Sequence, residues 1–231
     1  MVLVVKIFEV KERFDPSTAL RKLKDFKEEQ PLEGGKKLLS EILDLKLEKG
    51  IIQGVFTKDF VLNRYYRGKP IEALVTEEVP FWFKPFKNRI FLAVLAPSKA
   101  RGVKKLLTAY VANKLSEILF IKVGGIVEAE ITHETLRRLH ESNPQATKLI
   151  WFDSIDIPGV NKLALAGTGL ADTGLYKEYL KHGKIWYAVF EIKKRGLVVG
   201  ITRNCVVTLF SRSDLSNFIQ YIFEDIFPLI S

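Results

Sequence analysis

The sequence predicts an α+β protein made of two similar halves, each running strand, helix, antiparallel sheet, helix. Three observations predict it. First, short segments recur about half a chain apart. Leu20-Arg21-Lys22-Leu23 returns as Leu136-Arg137-Arg138-Leu139 at an offset of 116, while Gly68-Lys69 returns as Gly183-Lys184 and Ser98 as Ser213 at 115. Second, the chemistry repeats in register. Ile90, Leu92 and Val94 map at +115 onto Cys205, Val207 and Leu209, both apolar at the period of two that one strand face requires. Third, each such strand leads to a serine and then to an apolar helix stripe. Ala100, Val103, Leu107 and Val111 map onto Leu215, Phe218, Ile222 and Ile226. A long period seen twice in 231 residues argues for duplication rather than a solenoid, with repeats over 1–120 and 121–231. The two halves could join one curved sheet.

Element by element, the first half opens with a strand over 2–10. Asp15-Pro16-Ser17 is a helix start with proline in the first turn, and the helix is expected to run to about residue 29. Leu38, Leu39, Ile42, Leu45 and Leu47 predict a second helix over 36–48. Strands follow at 51–56, 60–66, 71–83 and 89–96, with turns at Arg67-Gly68-Lys69 and Lys87-Asn88. Ser98 then opens a long helix. In the second half a strand spans 121–131 and Thr132 caps a helix to about 141. A strand over 148–155 stands where the first half has its second helix. Strands at 163–166, 185–192, 197–201 and 205–210 precede a closing helix over 213–227, with a basic turn at 193–196.

This order of elements resembles the TATA-binding-protein fold, and Val206-Val207-Thr208 followed by Ser213-Asp214 is similar to that family's last strand and helix start. The resemblance implies a duplicated unit whose halves merge into one curved sheet with helices on its convex side. The family's repeat is shorter, and its paired intercalating phenylalanines have no counterpart at recognisable positions here, so the resemblance carries no functional residue across.

At 47% apolar residues the chain can bury a large core. It contains no apolar run of about 18 residues, so a spanning helix is not expected. Residues 1–8 lack a charged leader and a cleavage site, which predicts no secretory signal and a cytoplasmic protein. One cysteine, Cys205, excludes an internal disulfide and suits a reducing compartment. One Met, one Cys and four Gln beside 27% charged residues fit a thermophile, with an archaeal source the natural guess.

The net charge of +9 is uneven. Residues 51–120 carry 12 basic and 5 acidic side chains, while 1–50 and 121–231 are each within one charge of neutral. That asymmetry points to a polyanionic partner. In the same region, residues 81–89 pack Phe81, Trp82, Phe83 and Phe86 with Lys84, Lys87 and Arg89, and residues 63–69 bring Arg64, Tyr65, Tyr66, Arg67 and Lys69. Cations meet phosphates and aromatics stack or wedge against bases. The expected function is non-enzymatic binding of DNA or RNA through Arg64, Arg67, Lys69, Trp82, Lys84, Lys87 and Arg89 as one positive surface. Phe81 and Phe83 are assigned to the core. A protein–protein scaffold or transcription-complex accessory role is the alternative.

Catalytic chemistry is weakly signalled. Glu191-Ile192-Lys193 with Asp172 or Asp153 upstream matches the carboxylates and lysine of a magnesium-dependent nuclease, yet Glu9-Val10-Lys11 yields the same triplet. Glu191 and Lys193 are therefore expected to be structural. His133 and His140, seven apart, lack the four-residue spacing of a helix zinc site, and surface or boundary positions suffice for them and for His182. Gly167-Thr168-Gly169 lacks the further residues of a phosphate loop. No catalytic residue, metal or cofactor is expected.

Overall fold

The structure, a computed structural model, describes residues 2–32, 35–97 and 104–231, with the side chains of 104–106 outside the description. Among the described residues it is α+β, with twelve strands and five α-helices. The chain groups into two compact units, Phe8–Val127 and Met1–Ile7 with Glu128–Ser231.

The unit Phe8–Val127 takes the last residues of β1 (Leu3–Val10), then α1 (Pro16–Leu23), β2 (Lys27–Pro31), β3 (Lys37–Glu48), β4 (Ile51–Tyr66), β5 (Lys69–Phe86), β6 (Arg89–Leu95) and α2 (Lys104–Phe120), and most of β7 (Ile126–Glu128). The strand order is β2-β3-β4-β5-β6-β1, and every strand pair whose register is resolved there is antiparallel. Alternation puts Ile52, Phe56, Val79, Phe81 and Phe83 on one buried face. Helix α2 supplies Leu107, Val111 and Leu115 at four-residue spacing, and α1 supplies Ala19 and Leu23. Phe81 and Phe83 are fully buried, each worth about 1.5–3 kcal/mol of apolar burial.

Two helix expectations are corrected here. Helix α1 starts as expected, with the Asp15 carboxylate accepting from Thr18 N at 2.7 Å. It stops at Leu23, where Lys24 is extended and Asp25 has φ 66°, and the chain turns into β2. The expected second helix is strand β3. A bulge between Leu43 and Lys46, with Asp44 at φ 52°, inserts one residue into the period-two pattern. Leu38 and Ile42 lie on the core side before it, and Leu45 and Leu47 after it. Strand spacing plus one extra residue thus imitates the four-then-three spacing of a helix.

The other unit takes the first residues of β1 and then α3 (His133–Ser142), β8 (Thr147–Asp153), β9 (Leu163–Ala166), α4 (Gly174–His182), β10 (Lys184–Ile192), β11 (Leu197–Thr202), β12 (Val206–Leu209) and α5 (Leu215–Tyr221). Its strand order is β1-β12-β11-β10-β8-β9, antiparallel at each resolved pair. Thr132 caps α3 as expected. Helix α4, capped by Thr173, was not foreseen from the sequence. Helix α5 continues through a π turn and a 3-10 turn to Leu229.

The duplication expected from the sequence is not confirmed at the positions that suggested it. Ser98 lies outside the described residues. Its counterpart Ser213 is not the cap: Asp214 accepts from Asn217 N at 2.7 Å, and the Ser213 hydroxyl takes the Asn217 side-chain amide. Gly68 sits in a hairpin turn whereas Gly183 caps the end of α4, so that identity joins unlike positions. Cys205 is buried as expected, but in the turn between β11 and β12 rather than in a strand.

Candidate nucleic-acid interface

Strands β4 and β5 form a hairpin far longer than the sheet around it. Their pairing runs without a break from Ile52 opposite Phe83 to Tyr66 opposite Lys69. Strand β3 pairs with β4 only as far as Lys58, and β6 pairs with β5 only from Phe81 onward. At the end of β3, Asp59 accepts from Leu39 N and from the Thr76 hydroxyl, closing the last supported step. From there, among the described residues, 59–66 and 69–76 pair only with each other. Eight residues per strand make an arm about 26 Å long.

The tip is closed by Arg67 at φ 49° and Gly68 at φ 76°, a two-residue turn with both torsions positive, whose twist matches a right-handed ribbon. Residues 62–71 contain Arg64, Arg67 and Lys69 and no carboxylate. All are exposed, Tyr65 at 80% and Tyr66 at 60%. The Arg67 guanidinium lies 5.4 Å from the Tyr66 ring centre. Among the described residues none of these three cations joins an ion pair. Leu62, Ile71 and Leu74 are also exposed on the arm, Leu62 and Ile71 on the face of Arg64 and Leu74 on the other, an exposure that their apolar character did not signal.

The expected single positive surface is corrected by the topology. The turn at Arg67-Gly68 and the turn at Lys87-Asn88 close opposite ends of β5. Lys69 and Lys84 are 15 residues apart on that strand, a contour of about 50 Å, well beyond the roughly 10 Å over which exposed charges act at 0.1 M salt. The second cluster is also differently employed. Arg89 binds Glu9 through two bonds of 2.8 Å, its guanidinium stacks 4.8 Å from the Phe91 ring, and Lys11 adds a third contact to Glu9 at 2.6 Å. The Arg89 hydrogen bond, with help from Lys11, holds the buried Glu9 carboxyl down at about 2. Trp82 and Lys84 are half-buried, crossing Ala93 and Phe91 on β6, and Lys87 is exposed with its ammonium 5.5 Å from the Phe86 ring.

At the arm's root a cavity of about 500 Å³ is lined by Glu28, Ser40, Lys58, Phe60, Tyr110 and Lys114. Its cations are engaged: Lys58 sits 3.9 Å over the Tyr110 ring, and Lys114 pairs with Glu28 and Glu117.

The nuclease arrangement does not assemble through Asp153, and Asp172 lies in the 3-10 turn before α4. Asp153 stands opposite Lys184 at one end of β10 while Glu191 lies near the other, and each carboxylate has its own cation, Arg203 for Asp153 and Lys148 at 2.7 Å for Glu191. Lys193 lies in the exposed turn after β10. Among the described residues no three His, Cys, Asp or Glu side chains are grouped to hold a metal ion. His140 is fully buried rather than at the surface, with Nδ1 2.7 Å from the Thr147 hydroxyl and Nε2 without a hydrogen-bond partner. Burial pushes its pKa down. His133 accepts from Ile185 N, and His182 ends α4 beside Asp156 and Glu178, which raise its pKa. Gly167 and Gly169 lie in the bend after β9, both at positive φ.

No family model matches the chain, and no curated protein matches it. One solved structure, DynU16, a protein in the dynemicin biosynthetic locus, is similar at 11% identity over 98% of this chain and 95% of its own, with a TM-score of 0.26. A likeness that loose carries no argument about this chain. Among the described residues no helix is long and apolar enough to cross a membrane.

Proposed function

We propose that this protein binds nucleic acid, DNA or RNA, without catalysing a reaction, and that the β4–β5 arm is its contact element. The observation that supports this reading is the arm's tip. Three unpaired cations and two exposed tyrosines stand on two strands that pair only with each other among the described residues, with no carboxylate over residues 62–71. Cations at this density contact phosphates irrespective of sequence, and exposed aromatics add contacts to bases. Lys87 is a secondary contact at most, and Trp82, Lys84 and Arg89 are given up as contacts because they are half-buried or paired. The protein–protein reading draws on Leu62, Ile71 and Leu74. A duplicated origin of the two halves, and with it the likeness to the TATA-binding-protein fold, remains a proposal supported by the shared order of strand, helix, strands and helix.

The test is a fluorescence-anisotropy titration of labelled DNA and RNA oligonucleotides at several salt concentrations, with the parent and with Arg64→Ala/Arg67→Ala/Lys69→Ala. Each lost phosphate contact should lower the salt slope on a DNA duplex by about 0.9. Equal affinity of parent and triple variant at about 0.15 M salt would transfer the arm to the scaffold reading.

A further inference from the structure

Resting on that reading, we infer that the arm's target is B-form duplex DNA, entered through the major groove. The argument is one of shape. On an antiparallel ribbon directly opposed residues share a face and successive residues alternate. Tyr66 and Lys69 therefore share a face with Arg64 and Ile71, while Tyr65 and Pro70 face the other way with Asn63 and Glu72. The two tyrosines cannot form one platform, so consecutive unpaired bases have no common surface on which to stack. A strand laid along one face would meet one tyrosine only.

A groove suits the same arrangement, because both faces of an inserted ribbon meet a wall. The major groove of B-DNA is about 12 Å wide and 8.5 Å deep and admits a two-stranded ribbon. The arm extends about 26 Å beyond its last sheet neighbours, enough to reach the groove floor while the rest of the unit clears the backbone. The right-handed twist set by the Arg67-Gly68 turn lets a ribbon follow the groove's curve. Arg67 and Lys69 at the turn then stand nearest the groove floor, where guanine edges are read, and Arg64, about 10 Å behind the tip, meets the flanking phosphates. A-form RNA offers no equivalent, since its major groove is deep and too narrow for side chains to read.

The experiment compares one sequence as DNA duplex, RNA duplex and single-stranded DNA, at matched salt, with the intact protein. A fourth probe is the same DNA duplex with glucosylated 5-hydroxymethylcytosine, which fills the major groove and leaves the backbone unchanged. The expected result is at least about tenfold tighter binding to plain DNA duplex than to each of the other three. Preloading the duplex with the minor-groove ligand netropsin should leave affinity unchanged. RNA duplex, single strand or glucosylated duplex bound as tightly as plain duplex would overturn the groove assignment while leaving nucleic-acid binding intact. Failure of all four probes to bind would instead remove the proposed function itself.

Discussion

At the scale of single residues, the ion pair of Glu9 and Arg89 shows why a basic side chain in a basic segment need not face a partner. Glu9 is 8% exposed and takes two bonds from Arg89 and one from Lys11. Arg89→Ala would leave the buried Glu9 carboxylate with Lys11 alone and is expected to cost up to about 3 kcal/mol of stability. Glu9 has its folded pKa depressed from 4.5 to about 2. The pair's stability is therefore complete above pH 4.5 and is lost as pH falls from there towards 2, by about 3 kcal/mol in full. Denaturant unfolding at pH 6, 4 and 3 checks this: a parent and a Glu9→Gln variant losing stability equally over that range would refute it. His140 works in a separate window. Its imidazole is packed 4.8 Å from the Tyr176 ring, with Thr147 on Nδ1 and Glu141 and Asp172 as the nearest charges. Its folded pKa is depressed, so stability is complete above the unfolded value of 6.5 and declines as pH drops below it. The slope can reach about 1.4 kcal/mol per pH unit. His140→Gln should flatten the stability curve between pH 6.5 and 5, and an unchanged slope would show that this imidazole does not titrate on unfolding.

At the scale of elements, the β4–β5 arm beyond its root, where Asp59 and Phe60 still meet the rest of the unit, pairs among the described residues only with itself. A two-stranded hairpin is marginal in water without further strands or a covering helix. Amides of residues 61–66 and 69–74 should therefore exchange with solvent orders of magnitude faster than those of 52–57 and 79–83 on the same two strands, as read by hydrogen exchange. Uniform protection along the hairpin would mean that something covers the arm. By the same reasoning, replacing Arg64, Arg67 and Lys69 should change unfolding free energy by no more than about 0.5 kcal/mol at each position, which keeps the binding test free of global unfolding. The arm itself was partly legible in sequence: the turn at Arg67-Gly68 and both strand patterns were readable there. The lack of flanking strands was not, because Val61, Leu62, Ile71, Leu74 and Val75 are apolar on both faces, as in a strand with neighbours. Strand β3 failed in the reverse sense, since a single bulge at Asp44 gave it a helix's spacing.

At the scale of the whole molecule, the charge excess within 51–120 is spread along the segment, and Arg64, Arg67 and Lys69 sit at the arm's tip, where residues 62–71 carry no carboxylate. The arm variant lowers the net charge of +9 by three, which leaves the chain strongly basic. If retention on a heparin column reflects total charge, the variant should elute only slightly earlier than the parent. Concentration of binding at the tip predicts instead a drop in eluting salt clearly larger than that produced by Lys36→Ala/Lys46→Ala/Lys49→Ala, a change of equal charge elsewhere. Equal drops for the two variants would dissolve the local patch into general basicity.

The sequence by itself determined the α+β class, the Asp15 and Thr132 helix caps, the burial of Phe81 and Phe83, and the region of surplus positive charge. Each depends on contacts within a few residues or on composition, which the order of side chains records directly. Tertiary structure alone decided that 37–48 is a strand, that Arg89 belongs to Glu9, that His140 is enclosed, and that Lys69 and Lys84 lie near opposite ends of one strand. Those outcomes hang on partners far away in the chain and on the length over which a strand finds neighbours. Side-chain pattern reports which face of a strand is apolar, but it does not report whether anything lies against that face.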